Sequence, residues 1–251
     1  MTDAMKRLLP LAALVLLVTG CGLKTTSYND EQAIPLLEGR ADSLLLSVSL
    51  EYPVKGAGEE VLDRITHGIL SSAFDMEEGP GATVEETATH YADNLKDEYF
   101  NENLEYAGKG ENGVLSWEDR INGYFSGRYG PFESYMVEYY NFRGGAHGGG
   151  TMTAVVFDRK TGDIVPEEDF FADGYRAPVA ALIQAHLPEA LDGDEEALGA
   201  IFEPDLVGPN GNYEVTRDGA SWYYQPYDIA PYYLGVISVF VPWKELKPYV
   251  R

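Results

Sequence analysis

A single histidine set among glycines is the first feature of the sequence whose residue types suit chemistry. Residues 141–150 contain five glycines around His147. Glycine allows close backbone approach or positive φ, and imidazole exchanges protons near neutral pH. One interpretation is a structural bulge in which His147 bonds to a neighbouring carbonyl. The other is a loop that contacts a ligand through Gly144, Gly145 and His147, and the sequence leaves both open.

A tyrosine-rich segment is the second candidate. Residues 222–233 read WYYQPYDIAPYY, and six of these twelve residues are aromatic. Tyrosine combines a large apolar face with a polar hydroxyl, which is typical of interfaces and of sugar-binding surfaces. The alternative is a tyrosine-rich edge of the core that its prolines stiffen. The candidate ligand-binding residues of this segment are Tyr224, Tyr227, Asp228 and Tyr232.

The usual signatures of catalysis and metal binding are missing from the sequence. There is no Gly-x-Ser-x-Gly elbow, and the four histidines include no H-E-x-x-H pair. Residues 108–113 match G-x-G-x-x-G but follow a predicted helix and precede a strand, which indicates a turn. Residues 192–196 indicate a helix N-terminus rather than a calcium loop. We therefore predict no catalytic residue, no metal site and no cofactor.

The charge balance narrows the range of partners. The chain has 18 Lys+Arg against 41 Asp+Glu, a formal net charge of −23, and 45% hydrophobic residues. Hydrophobicity at this level predicts a folded protein. The acidic excess argues against nucleic acid and against electrostatic docking on anionic lipid. It favours neutral or cationic partners.

The N-terminal residues resemble a lipoprotein signal. Lys6 and Arg7 precede an apolar run over residues 8–18, which is too short to span a bilayer of ~30 Å. Residues 18–21 read Val-Thr-Gly-Cys and are similar to the bacterial lipobox. We expect a signal peptide over residues 1–20, a lipid on Cys21, and membrane attachment through that lipid alone. This predicts a bacterial cell-envelope location; Gly22 after the cysteine resembles an outer-membrane sorting signal, and the membrane face stays open.

Hydrophobic periodicity predicts an α+β fold, an antiparallel sheet with helices packed on it. The N-terminal part is a strand over residues 44–52 and two helices, the second capped by Thr83 with Glu86. In the strand after Val114, Trp117 and Ile121 alternate with polar residues. Further predicted strands are residues 132–142, 152–158, 213–216, 221–225 and 234–241, with a helix over residues 177–187. We divide the chain into a tether (21–40) and two parts of one compact unit, 41–130 and 131–251.

Several groups of residues resemble a known family. They are YNFRGGAHG at 140–148, FDRKTG at 157–162, QPYDIAPY at 225–232, Gly235, and Val241-Pro242. Together they resemble the DUF3298 (RsiV-like C-terminal) family. The strand at residue 44 and the two following helices resemble its usual N-terminal companion, DUF4163.

The resemblance implies an extracytoplasmic α+β module without known catalysis of its own. Such modules form the sensor part of RsiV-type anti-sigma factors, which bind lysozyme, and precede peptidoglycan deacetylase domains. We see neither an anti-sigma segment nor a deacetylase pattern, so only binding carries over. We expect a non-catalytic envelope module whose ligand is a cationic protein such as lysozyme, or peptidoglycan. The alternatives are a cell-wall enzyme using His147 and Asp228, or a structural subunit of an envelope complex.

Overall fold

The computed structural model describes residues 22–74, 83–109 and 113–251. The predicted signal peptide, Cys21 and residues 110–112 of the glycine turn lie outside the described residues. Across those described ranges, no helix is both long and apolar enough to cross a membrane.

A five-stranded sheet forms the N-terminal half, in the order β1-β2-β3-β4-β5. Its strands are β1 (Lys24–Pro35), β2 (Ser43–Lys55), β3 (Trp117–Tyr129), β4 (Phe132–Phe142) and β5 (Gly149–Asp158). The predicted α+β class is confirmed, with one difference. β2 and β3 pair in parallel, whereas the other neighbours are antiparallel. Two helices lie between β2 and β3, and such a crossover returns the chain to the end of the sheet where β2 began.

The expected tether over residues 21–40 is wrong for most of its length. β1 runs for 12 residues and pairs antiparallel with β2, with Lys24 opposite Lys55 and Pro35 opposite Ser43. Its sequence, KTTSYNDEQAIP, contains few apolar residues because it is an edge strand. Only Tyr28 and Ile34 pack against the core. Because this segment is mostly polar, its sequence did not predict the strand, which begins directly after Leu23.

Helices α1 (Glu59–Phe74) and α2 (Val84–Asn103) cover one face of this sheet. The predicted capping box is confirmed: the Glu86 N–H donates to Thr83 Oγ1 at 3.2 Å, and the Thr83 N–H donates to Glu86 Oε2 at 3.1 Å. Alternate residues of β2 point to the helices, as a strand of period two requires. The first core contains Leu44, Leu46, Val48, Leu50, Ile65, Ile69, Leu95, Tyr99, Trp117 and Ile121.

The C-terminal half places a three-stranded sheet, β6-β7-β8, against the other face of β4 and β5. Its elements are α3 (Glu167–Phe170), α4 (Arg176–Ala190), α5 (Glu195–Gly199), β6 (Tyr213–Val215), β7 (Gly219–Tyr224), β8 (Ile237–Pro242) and α6 (Trp243–Leu246). α4 packs on β8, and Trp222, Phe171 and Ile183 lie in this second core. The predicted helix start at residues 192–196 is confirmed, because the Asp194 side chain caps α5.

The two hydrophobic cores meet at β5, not at the predicted boundary after residue 130. Phe157 belongs to the first core and its neighbour Val156 to the second, since successive strand residues face opposite sides. Ser134 joins the two sheets: its Oγ donates to the Val215 carbonyl and accepts the Val215 N–H, both at 2.9 Å. The division expected between residues 130 and 131 falls inside the β3–β4 turn.

Candidate ligand-binding surface

The glycine-rich loop and the tyrosine-rich segment meet in space. The rings of His147 and Tyr232 stack with centroids 4.4 Å apart and an interplanar angle of 26°. Tyr227 lies on the same segment, with its ring 5.8 Å from that of Tyr232. His147 is exposed, and 65% of Tyr227 is accessible to solvent. We call these three residues the aromatic row.

The glycines shape the loop that carries His147. Gly144 and Gly145 have φ of +82° and +87°, the left-handed region in which other residues are strained. A Cβ on Gly148 would lie 2.4 Å from Tyr140 Oη and 2.5 Å from the Asn141 oxygen, so no side chain fits there. The Gly148 carbonyl accepts the Tyr232 hydroxyl and lies 3.3 Å from His147 Nδ1. The loop is therefore the hairpin connection between β4 and β5, shaped by its glycines, and it carries an exposed histidine.

A tight turn holds Tyr227 outward. Tyr227 has φ +73°, which is rare for a bulky residue and marks a position that its surroundings enforce. Its N–H donates to the Ala230 carbonyl at 3.1 Å, and Asp228 Oδ2 accepts the Gln225 N–H at 2.7 Å. The Gln225 side chain in turn bonds both backbone groups of Met152 on β5. Asp228 is exposed, and its carboxylate caps this turn.

Tyr224 lies apart from the aromatic row. It is 3% exposed within the second core, and its hydroxyl donates to the Gly208 carbonyl at 2.9 Å. Burial raises the pKa of this phenol well above its usual value. The structure thus brings His147, Tyr227 and Tyr232 together, leaves Asp228 beside them in the turn, and packs Tyr224 inside.

A cleft of about 460 Å³ opens beside Tyr232, between the segment after β7 and the strands β4 and β5. Tyr232, Tyr233 and Pro226 form one wall. Glu138, Thr151 and Met152 form the other. We call it the tyrosine cleft.

The sequence analysis did not predict an ion pair at the base of the glycine-rich loop, between a buried aspartate and a half-buried arginine. Asp119 on β3 is fully buried and pairs with Arg143, whose Nη2 lies 3.0 Å from Asp119 Oδ2. The hydroxyls of Tyr91 and Tyr139 donate to the same oxygen at 2.5 and 3.2 Å. Burial, followed by the Asp119 charge, raises the pKa of Tyr91 far above its usual value. The Arg143 guanidinium also lies 4.7 Å from the Trp117 ring centroid, so the loop is fastened to β3 and α2.

Histidines outside the loop do not gather into a site. His67, His90 and His186 lie on α1, α2 and α4, and His186 Nε2 is 3.2 Å from Glu245. Within the described ranges, no three His, Cys, Asp or Glu side chains are placed to hold a metal ion.

Residues 168–244 match the family model described as "Protein of unknown function (DUF3298)". This segment of the chain is similar to the DUF3298 family, and we call it the DUF3298 segment. The predicted resemblance to that family is thereby confirmed over these residues, which include Tyr227 and Tyr232. His147 and the glycine-rich loop precede the DUF3298 segment, so the aromatic row joins residues inside and outside it.

Solved structures share the fold of nearly the whole chain. A DUF3298 family member from Bacteroides fragilis is similar with a TM-score of 0.80 and 21% identity, covering 91% of this chain and 94% of that one. A DUF3298 family protein from Pseudomonas aeruginosa is similar with a TM-score of 0.62 and 18% identity, covering 92% and 97%. No curated protein matches the sequence. These likenesses show the fold, which extends well beyond the DUF3298 segment.

Proposed function

We propose that this protein is a non-catalytic binding module of the bacterial envelope, anchored through a lipid on Cys21, that captures a cationic protein. The observation that carries the proposal is the stack of His147 on Tyr232 beside Tyr227. Two stretches about 80 residues apart converge there on one exposed aromatic surface. Solvent-exposed aromatic rings held in fixed positions are a frequent energetic centre of protein interfaces.

The aromatic row is preorganised for contact. The bond from the Tyr232 hydroxyl to the Gly148 carbonyl, the Asp228 cap and the two Gln225 bonds fix the rings before any partner arrives. A partner then loses little of its binding free energy to ordering of these side chains.

Charge near the row favours a cationic partner over a glycan. No Lys or Arg occurs between Arg176 and Arg217. Exposed acids in this interval are Glu189, Asp192, Asp194, Glu195, Glu196, Glu203 and Asp205. The Phe202 N–H donates to the Ile229 carbonyl at 2.9 Å, which brings the interval next to the turn that carries Tyr227. A negative field here accelerates encounter with a basic protein and weakens as salt rises.

The test uses lysozyme as the cationic probe. Its activity on cell walls is measured with and without the protein from Gly22 onward, at low and physiological salt. The protein includes the residues from Gly22 because β1, which precedes the predicted unit starting at residue 41, belongs to the sheet. We expect inhibition that weakens with salt. Tyr227→Ala and Tyr232→Ala should each weaken it roughly tenfold, whereas Tyr106→Ala, at an exposed tyrosine elsewhere, should not.

Two outcomes would contradict the proposal. Absence of inhibition and of a complex at both salt concentrations removes the lysozyme-like partner. Salt-insensitive co-sedimentation with purified peptidoglycan that depends on Tyr227 would instead identify the glycan as the ligand.

A further inference from the structure

The tyrosine cleft contains a carboxylate held in a fixed orientation. Glu138 on β4 is half-buried and lies directly opposite Asn122 of β3. The Tyr124 hydroxyl donates to Glu138 Oε1 at 2.7 Å, and Asn122 Nδ2 donates to Glu138 Oε2 at 3.2 Å. Both donors are neutral, so they orient the carboxylate without balancing its charge.

Arg120, a basic residue on the same face of β3 as Asn122, is engaged elsewhere. Among the residues with described positions, no salt bridge involves Glu138. Arg120, which precedes Asn122 by two residues and shares its face of β3, pairs with Glu118 at 3.1 Å and lies 4.4 Å from the Tyr140 ring centroid. A second carboxylate adds to the negative potential, because Glu214 is only 6% exposed. Burial, followed by Glu138 and then Glu214, raises the pKa of Tyr124 to about 12. A half-buried carboxylate without a counter-charge is costly unless a cation joins it.

The walls of the cleft suit a long basic side chain. Tyr232 and Tyr233 line the cleft, and tyrosine rings attract cations. Met152 and Val236 offer apolar surface, against which the methylene stem of lysine or arginine packs. The volume of about 460 Å³ lies at the small end of ligand sites, so it suits one side chain rather than a folded element.

We infer that the tyrosine cleft is a socket for the ammonium or guanidinium group of one lysine or arginine side chain of a partner protein. The cation would sit between the Glu138 carboxylate and the tyrosine rings. This inference rests on the proposed function and adds the chemistry that the partner must present next to the aromatic row.

The first experiment isolates the chemistry. The ¹⁵N-labelled protein is titrated with Nα-acetyl-lysine amide and with its neutral analogue Nα-acetyl-norleucine amide. We expect the lysine compound to shift the amide signals of Gly150, Thr151, Gly235 and Val236. The norleucine compound should bind roughly tenfold more weakly, because it forms no charge-assisted bond.

Two variants distinguish cation binding at Glu138 from the general effect of the protein's negative charge. Glu138→Gln keeps an oxygen for the Tyr124 hydroxyl, so the cleft is retained, and we expect it to lose the preference for lysine over norleucine. Glu98→Gln removes the same charge from the exposed face of α2 and should change nothing. Equal binding of the two compounds, or equal behaviour of the two variants, would overturn the inference.

A second arm tests the source of the cation. In the lysozyme assay, Glu138→Gln should weaken inhibition at least several-fold relative to Glu98→Gln. If acetyl-lysine binds as expected but lysozyme inhibition is intact in Glu138→Gln, the socket does not serve that protein. If instead lysozyme is never inhibited while the amide shifts persist, the proposed function fails and the cation site stands.

Discussion

Two carboxylates of the five-stranded sheet have similar tyrosine partners but different surroundings. Asp119 accepts the hydroxyls of Tyr91 and Tyr139 and is closed over by Arg143. Glu138 accepts the hydroxyl of Tyr124 and lines the tyrosine cleft, and no salt bridge within the described ranges involves it. Where the chain supplies the positive charge, the group serves stability. Where the described part of the chain provides no positive charge, we propose that the group binds a ligand.

The largest expected effect comes from removing the internal cation. Arg143→Met leaves Asp119 buried and unpaired, which costs about 3 kcal/mol of unfolding free energy. Urea denaturation measures it, with Arg120→Met as the control because that exposed arginine should matter by less than about 1 kcal/mol. A loss under 1 kcal/mol for Arg143→Met would show that Asp119 finds another partner and would break the comparison.

Removing one tyrosine hydroxyl from each carboxylate refines the comparison between Asp119 and Glu138. Tyr91→Phe takes a donor from the fully buried Asp119 and should lower the unfolding free energy by roughly 1.5 kcal/mol. Tyr124→Phe takes a donor from Glu138, where water in the cleft can replace it, and should cost less than about 0.5 kcal/mol. Denaturation of both variants under the same conditions gives the difference. Equal losses would mean that the tyrosine cleft is as closed as the Asp119 site.

A third carboxylate is buried, and no salt bridge among the described residues involves it. Glu167 is 1% exposed and accepts the Trp222 indole N–H and the Gly211 N–H. Burial raises the pKa of Glu167 above its value in the unfolded chain. The native state then binds more protons than the unfolded state between these two pKa values, so this group makes stability fall as pH rises through that window.

Glu167→Gln tests that sign. The variant should lose this contribution, which is at most about 1.4 kcal/mol per pH unit for one proton. The wild-type unfolding free energy minus that of the variant should therefore decrease from pH 4.5 upward and level off above the folded pKa. A difference that rises with pH would show that the donors from Trp222 and Gly211 outweigh burial.

The smallest expected effect on stability is at the proposed socket. Glu138→Gln should change the unfolding free energy by less than about 0.5 kcal/mol, since it removes an uncompensated charge and keeps an acceptor for Tyr124. Chemical denaturation of this variant beside Arg143→Met completes the comparison. A loss comparable to that of Arg143→Met would place Glu138 among the structural carboxylates.

Local patterns predicted much of the fold, and long-range contacts account for what they missed. The two helices after the first predicted strand and the capping box of Thr83 each depend on residues close together in the sequence, and these predictions are confirmed. β1 was missed because an edge strand needs little apolar sequence. Asp119 occupies an inward position between Trp117 and Ile121, but the partners that make this tolerable come from α2, β4 and the glycine-rich loop.

The candidate surface was likewise predictable in composition but not in arrangement. Glycine content identified residues 141–150, and tyrosine content identified residues 222–233 with Tyr227 and Tyr232 among the candidates. Nothing local distinguishes Tyr224, which is buried, from Tyr232, which stacks on His147. Glu138 is one acid among 41 Asp+Glu, and only the fold shows that it has neutral donors and an open cleft.

Because β1 begins at Lys24, its position limits the distance between the folded domain and a lipid on Cys21. With Cys21 as the proposed lipid site, only Gly22 and Leu23 lie between that residue and β1. They span ~10 Å at most. β1 begins beside the end of β2, and the strand register places the glycine-rich loop at the opposite end, where β1 finishes. If the lipid is attached at Cys21 as proposed, the 12 residues of β1, ~40 Å long, separate the aromatic row from the end of the sheet beside the lipid.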